Sequence, residues 1–248
     1  MTTVRFVIAV VLAYLLGSLN FSIIISKLTM KKDIRDFGSG NAGTTNSLRV
    51  MGMKKTIFVL LGDILKGVVA IFVATRMVSD VNIAILRSAA SLACILGHTY
   101  PVFFRFRGGK GVLTTAAVIG SFNLPICLIA VSVFIIIVAI TRYVSLGSII
   151  AIWTVPFLFA LFEGVNFDGM VYIILGVVIA AFVTFLHRSN IKRLIEGNDL
   201  TLYGLSNAVT RHSQDVEDYD RATALEGIGY NILSMPARQW SRINQMAA

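Results

Sequence analysis

Three polar segments of this 248-residue sequence hold the residue types that bind phosphates and stabilise charge. The first runs Ser39-Gly40-Asn41-Ala42-Gly43-Thr44-Thr45-Asn46-Ser47-Leu48-Arg49. Its glycines let backbone N–H groups turn toward an anion, and Arg49 offers a planar fork for two phosphate oxygens. Ser39, Asn41, Thr45 and Asn46 add hydroxyl and amide groups to the same stretch. The second opens with Gly97-His98 and closes with Gly108-Gly109-Lys110-Gly111, where a backbone free of side chains can approach a ligand beside the point charge of Lys110. The third is His187-Arg188-Ser189-Asn190, in which the Asn190 amide can orient a hydroxyl nucleophile or an oxyanion. A shorter piece, Arg142 to Ser148, brings Ser145. No loop gathers Asp, Glu and His in a metal-ligand pattern, so the expected chemistry uses no metal and no cofactor.

Several sharper motifs fail on inspection. Gly38, Gly40 and Gly43 match G-x-G-x-x-G, but a dinucleotide fingerprint must follow a strand within a βαβ unit, and apolar runs of membrane-spanning length flank this one. A P-loop needs glycine at 104 and Ser or Thr at 111, where Phe104 and Gly111 stand. The His-x-x-x-x-Asp pair of soluble-side acyltransferases is absent, since Phe103 follows His98 and Lys192 follows His187 at that spacing. His98 is therefore read either as a loop anchor or as a substrate contact.

The elements that must position these loops are set by composition. The chain is 56% hydrophobic and 14% charged, with a mean hydropathy of +0.79. Too little polar surface remains to cover a soluble core, which excludes a soluble enzyme, a disulfide scaffold and a disordered regulator. Apolar stretches at about 4–26, 56–75, 81–97, 124–140, 145–162 and 170–186 each approach the ~17–25 residues of a spanning helix. The stretch 112–122 is short for a crossing, with Asn123 and Pro125 marking a turn after it. Charge decides the parity. With seven crossings, 18 of the 22 Lys and Arg fall on one face, leaving Arg5 and Arg76 on the other and Lys66 and Arg87 within spans. Positive residues collect in the cytoplasm, so seven helices are expected, with the N-terminus outside and the C-terminus inside. The first run is read as a retained helix, because no small-residue cleavage site interrupts it.

Asp63, Lys66 and Arg87 are ionisable groups at membrane depth. Asp63 and Lys66 share a helix face, either as a structural ion pair or with Lys66 lending positive potential to a nearby anion site. Cys94 and Cys127 read as small core residues. Residues 1–199 form the expected membrane-embedded unit and 200–248 a polar cytoplasmic tail, solvated or anchored at Trp240 by a short interfacial helix. The net charge of +9 is thus a topology signal and an attraction for anionic headgroups and substrates, not for nucleic acid.

These residues resemble the acyl-phosphate:glycerol-3-phosphate acyltransferase family of bacterial inner membranes. That family's Ser-Gly-Asn-x-Gly-x-x-Asn-x-x-Arg is matched from Ser39 to Arg49, and its Gly-His-x-x-Pro with Gly-Gly-Lys-Gly by Gly97, His98, Pro101 and Gly108 to Gly111. Asp63, Lys66 and Gly67 match its Asp-x-x-Lys-Gly, and His187 with Asn190 its His-x-x-Asn. Arg107 replaces a usual lysine, Thr44 a common alanine, and Asp199 the usual glutamate. The resemblance implies an all-α polytopic membrane protein of seven transmembrane helices around a cytoplasm-facing site. It also implies acyl transfer from acyl phosphate, supplied by a separate acyl-phosphate-forming enzyme, to the 1-hydroxyl of glycerol 3-phosphate within membrane lipid. Ser39, Arg49, Lys110 and Asn190 are the expected catalytic residues. Gly40, Asn41, Gly43, Thr45, Asn46, His98, Gly108, Gly109, Gly111, Ser145 and His187 are the expected substrate contacts. A transporter or exchanger of phosphorylated solutes is the alternative, although no internal repeat supports it; a non-catalytic lipid-binding scaffold would not need such dense phosphate chemistry.

Overall fold

A computed structural model describes residues 2–196. Among these residues the chain forms nine α-helices and no strand: α1 Thr2–Gly17, α2 Phe21–Met30, α3 Thr44–Met77, α4 Ile83–Thr99, α5 Val112–Gly120, α6 Leu124–Thr141, α7 Val144–Phe162, α8 Phe167–Leu186 and α9 Arg188–Ile195. Six apolar segments are long enough to cross a bilayer, with α1 and α2 counting together as one. The protein is an all-α integral membrane protein. Residue 199, Trp240 and the whole tail 200–248 lie outside the described residues.

Asparagines start the apolar helices. The side chains of Asn20, Asn82, Asn123 and Asn166 accept from the backbone N–H groups of Ile23, of Ala84 and Ile85, of Ile126, and of Gly169. Each thereby satisfies donors that lipid cannot. Small residues then let helices meet closely. Ala9, Ala13 and Gly17 of α1 are buried, as are Ala90, Ala93 and Gly97 of α4. A Cβ on Gly97 would collide with the Tyr14 carbonyl, so the α1–α4 contact depends on glycine there.

Hydrogen bonds define one end of the bundle. Thr2 Oγ1 donates to Asp80, Asn82 Nδ2 to Asp168 (2.7 Å) and Asn123 Nδ2 to Glu163 (2.5 Å). The helix starts and turns near 2, 79–82, 121–123 and 163–168 therefore gather together, and the polar segments at 38–49, 98–111, 145 and 187–190 gather elsewhere.

Three expectations need revision. The run 4–26 is not one helix: it breaks at Ser18-Leu19-Asn20, because Asn20 caps α2 and its amide donates to the Ala42 carbonyl (3.1 Å), anchoring the first polar segment. That segment is not wholly a loop, since α3 starts at Thr44 and kinks at Gly52, whose φ of 72° suits a residue without Cβ. The stretch 112–122 yields only the nine residues of α5. At 1.5 Å per residue these span about 14 Å, less than half of the ~30 Å hydrocarbon core. By length alone, then, six segments qualify as crossings, and α5 is too short to be counted with them. Arg87, one turn into α4, is met by aromatic partners, lying over the Phe122 ring of the 121–123 turn and near the Tyr172 hydroxyl. Cys94 and Cys127 are free thiols; Cys94 is buried in the core, whereas Cys127 faces the cavity described next.

Candidate active site

One cavity of about 870 Å³ takes in every residue singled out from sequence as catalytic or substrate-binding, from Ser39 through Asn190. Its two halves differ in chemistry. One half is walled by the segments 39–49 and 108–111, by Ser145 and by His187–Asn190. The other is an apolar groove between α5, α6 and α7, lined by Ile119, Cys127, Ala130, Val131, Phe134, Ile152 and Val155. Arg49, Arg107, Lys110, Arg188 and Arg193 border the cavity against one carboxylate, Asp63, which is itself ion-paired. Such a wall attracts anions and leaves room for an aliphatic chain.

The first segment is built around Asn46, which is 1% exposed. Its amide donates to the carbonyls of Phe37 (3.0 Å) and Ile34 (3.3 Å), while its oxygen accepts from the Ser39 N–H (2.8 Å) and from Arg49 (3.4 Å). Asn46, expected as a substrate contact, thus shapes the turn that carries Ser39 and holds Arg49 in place. Gly38 and Gly40 take φ of 61° and 71°, so the turn reaches the start of α3 at Thr44 with its helical N–H groups beside the cavity.

The second segment folds back on α4. The N–H groups of Gly108 and Gly109 donate to the carbonyls of Thr99 (3.0 Å) and His98 (3.1 Å). A Cβ on Gly109 would run into His98 Nε2 and the Ala42 carbonyl, so glycine is required where the two segments touch. His98 is 3% exposed, and its Nδ1 lies 2.8 Å from Lys66 Nζ.

Lys110, Asn190 and Ser145 form a chain. Lys110 has only protons to offer, so it donates to the Asn190 oxygen; the Asn190 amide nitrogen then donates to Ser145 Oγ (2.6 Å). That leaves the Ser145 hydroxyl proton for a group in the cavity. Asn190, expected to touch the reacting atoms, has its amide engaged as the bridge between a cation and a hydroxyl. His187 Nδ1 donates to the Val183 carbonyl (2.8 Å), which makes Nε2 the acceptor nitrogen of the neutral ring.

Sequence reasoning missed two parts of the site. One is the apolar groove. The other is Arg35, which donates to both oxygens of Asp33 and to the carbonyls of Phe104 and Arg107 (2.8 Å each), tying the first segment to the second. The Arg35 hydrogen bonds hold the Asp33 carboxyl down to about 2, and Asp33 raises the guanidinium in turn. The only signal in the sequence is the i, i+2 spacing of the two charges, which is common on any surface.

The profile of the family described as glycerol-3-phosphate acyltransferase matches residues 7–197. The chain belongs to the glycerol-3-phosphate acyltransferase family. A glycerol-3-phosphate acyltransferase of Halalkalibacterium halodurans is 43% identical over 188 residues, covering 75% of this chain and 90% of its own. One of Thermoanaerobacter pseudethanolicus is 39% identical over 196 residues, covering 79% and 95%. Among solved structures, the glycerol 3-phosphate form of PlsY (YgiH), an integral membrane glycerol 3-phosphate acyltransferase, shares 37% identity at a TM-score of 0.71, covering 79% of this chain and 95% of that one. The lysophosphatidic acid form of PlsY gives 0.70 at 36% identity. The protein is therefore a membrane acyltransferase of this family. The family match covers the whole cavity and stops at residue 197.

Proposed function

We propose that the protein moves a fatty acyl group from acyl phosphate to the 1-hydroxyl of glycerol 3-phosphate, releasing lysophosphatidic acid and inorganic phosphate. The observation that carries this reading is the two-sided cavity: a cationic, amide-rich half continuous with an aliphatic groove. The printed names of the relatives, and the glycerol 3-phosphate and lysophosphatidic acid forms of PlsY, support it.

Acyl phosphate is a mixed anhydride whose phosphate leaves readily, so no covalent enzyme intermediate is required. The obstacle is that two anions must be held side by side against their repulsion. Arg49, Lys110 and Ser39 offset that repulsion at the phosphates, with Ser145 adding a hydrogen bond and His187 Nε2 accepting one from a glycerol hydroxyl. The Lys110–Asn190–Ser145 chain polarises the Ser145 hydroxyl toward the oxygen on which charge develops. The glycerol hydroxyl oxygen bonds to the acyl carbon, the bond from that carbon to the phosphate oxygen breaks, and the hydroxyl proton passes to a phosphate, whose second pKa is about 6.

The polar half faces the cytoplasm of the bacterial inner membrane, and acyl transfer is confined to residues 1–199. Seven passes fit this reading, which is supported by Gly111 at the cavity before α5 and by Asn123, after α5, bonding to Glu163 at the far turns. The donor comes from a separate acyl-phosphate-forming enzyme and the product joins phospholipid synthesis.

The test is the purified protein in detergent with acyl phosphate and glycerol 3-phosphate. Lysophosphatidic acid and phosphate should appear in equal amounts. Solute flux in sealed vesicles without any lysolipid would instead support an exchanger.

A further inference from the structure

In the polar wall of the cavity, which Asp63 and His98 line, lies a buried charged cluster that the proposed reaction does not use. Lys66 and Asp63 sit on α3 with side chains 1% exposed, 2.7 Å apart. Lys66 Nζ also reaches the Leu19 carbonyl at 2.9 Å, an oxygen at the break between α1 and α2, and His98 Nδ1 at 2.8 Å. An ammonium has three protons, and three groups are ranged around this one: a carboxylate, a carbonyl and an imidazole nitrogen. Nδ1 must then present its lone pair, which leaves the ring neutral with its proton on Nε2. That nitrogen packs against Gly109, where any Cβ would collide with it, and the histidine is among the residues that line the cavity.

We propose that Lys66 is a positioning residue: by donating to Nδ1 it locks His98 in the Nε2–H form, so that the ring offers a hydrogen bond to a phosphate oxygen of bound substrate. Asp63 keeps the ammonium neutralised in the interior, and the charge acts one layer behind the ligand. His187, across the cavity, is held in the opposite form by Val183. One histidine gives a proton and the other accepts one, each set by its own second partner.

The kinetic part of this inference rests on the acyl-transfer reading; the tautomer does not. The experiment uses the full-length protein in detergent with ring-15N histidine, the His98 signals assigned by His98→Asn. Wild type should show protonated Nε2 and unprotonated Nδ1. Because Lys66→Met alone strands a buried carboxylate, the variant is Asp63→Asn with Lys66→Met. It should give mixed tautomers and a KM for one phosphate substrate raised about tenfold at near-normal kcat. Which KM rises, that of glycerol 3-phosphate or of acyl phosphate, identifies the phosphate that His98 meets. Asp63→Asn with Lys66→Gln, which restores an N–H donor, should recover both readouts. An Nδ1–H ring in wild type overturns the proposal, as does a double variant that loses thermal stability while both KM values stay unchanged. The expected tautomer in a protein that transfers no acyl group would contradict the proposed function and leave the inference standing.

Discussion

The two ends of this helical bundle are built from opposite materials. At one end, short turns carry Asp80, Glu163 and Asp168, each accepting from a neutral side chain of another turn. Those bonds join neighbouring helices and end there. At the other end, longer glycine-bearing segments carry cations placed by groups behind them, Arg49 by Asn46 and Lys110 by Asn190, and Arg35 holds the backbone at the Phe104 and Arg107 carbonyls. Closed pairs staple the bundle, whereas side chains held from behind are aimed at something else. The chemistry therefore belongs to the second end.

Substitutions that break this contrast should differ in kind. The largest effect is expected from Lys110→Ala and Arg49→Ala, each lowering kcat/KM for acyl transfer by at least ~10²-fold, the range of a lost charge-stabilising donor. Thermal unfolding of both variants should stay close to wild type. Next comes Gly109→Ala, whose methyl group would force the His98 ring and the Ala42 carbonyl apart. A displacement of about 1 Å in such a wall costs up to ~10²-fold in rate, and glycerol 3-phosphate KM and kcat should both suffer.

Arg35→Ala removes bonds between a charged donor and two carbonyls, worth about 2 kcal/mol in stability, and should open the 102–107 segment to proteolysis. Its partner sets a pH window. Asp33 ionises near 2 rather than at the ordinary 3.8, so its contribution is complete above the ordinary value and fades as pH falls through about 2. The Tm difference between wild type and Asp33→Asn should accordingly be flat from pH 5 to 8 and close in strong acid. The smallest effect belongs to the far end. Asn82→Ala should cost about 1 kcal/mol through loss of its cap and leave kcat/KM unchanged. A large kinetic defect there would erase the distinction between the ends.

Much of this was legible in the chain. Apolar runs of spanning length and Asn123 with Pro125 at a turn give the helices and their order. The spacing of Ser39 to Arg49 and of Gly108 to Gly111 names the cavity's polar half. What stayed hidden depends on approach in three dimensions. The groove could not be read, because α6 is apolar nearly all round and α7 nearly so beyond Ser148, so nothing in their pattern marks where the groove runs. The Asp33–Arg35 tie reaches carbonyls about 70 positions away, and carbonyls leave no trace in residue types. The break at Ser18-Leu19-Asn20 looks like a continuous crossing until Lys66 is seen to claim the Leu19 carbonyl.

The most direct measurement is compartment-specific labelling of single cysteines, in a background carrying Cys94→Ala and Cys127→Ala that retains acyl transfer. Ser39→Cys, Arg105→Cys and Ser189→Cys should react with a membrane-impermeant thiol reagent from the cytoplasmic side alone, and Ser79→Cys from the other side alone. Labelling of the first three from different sides would mean that the segments never meet around one pair of substrates.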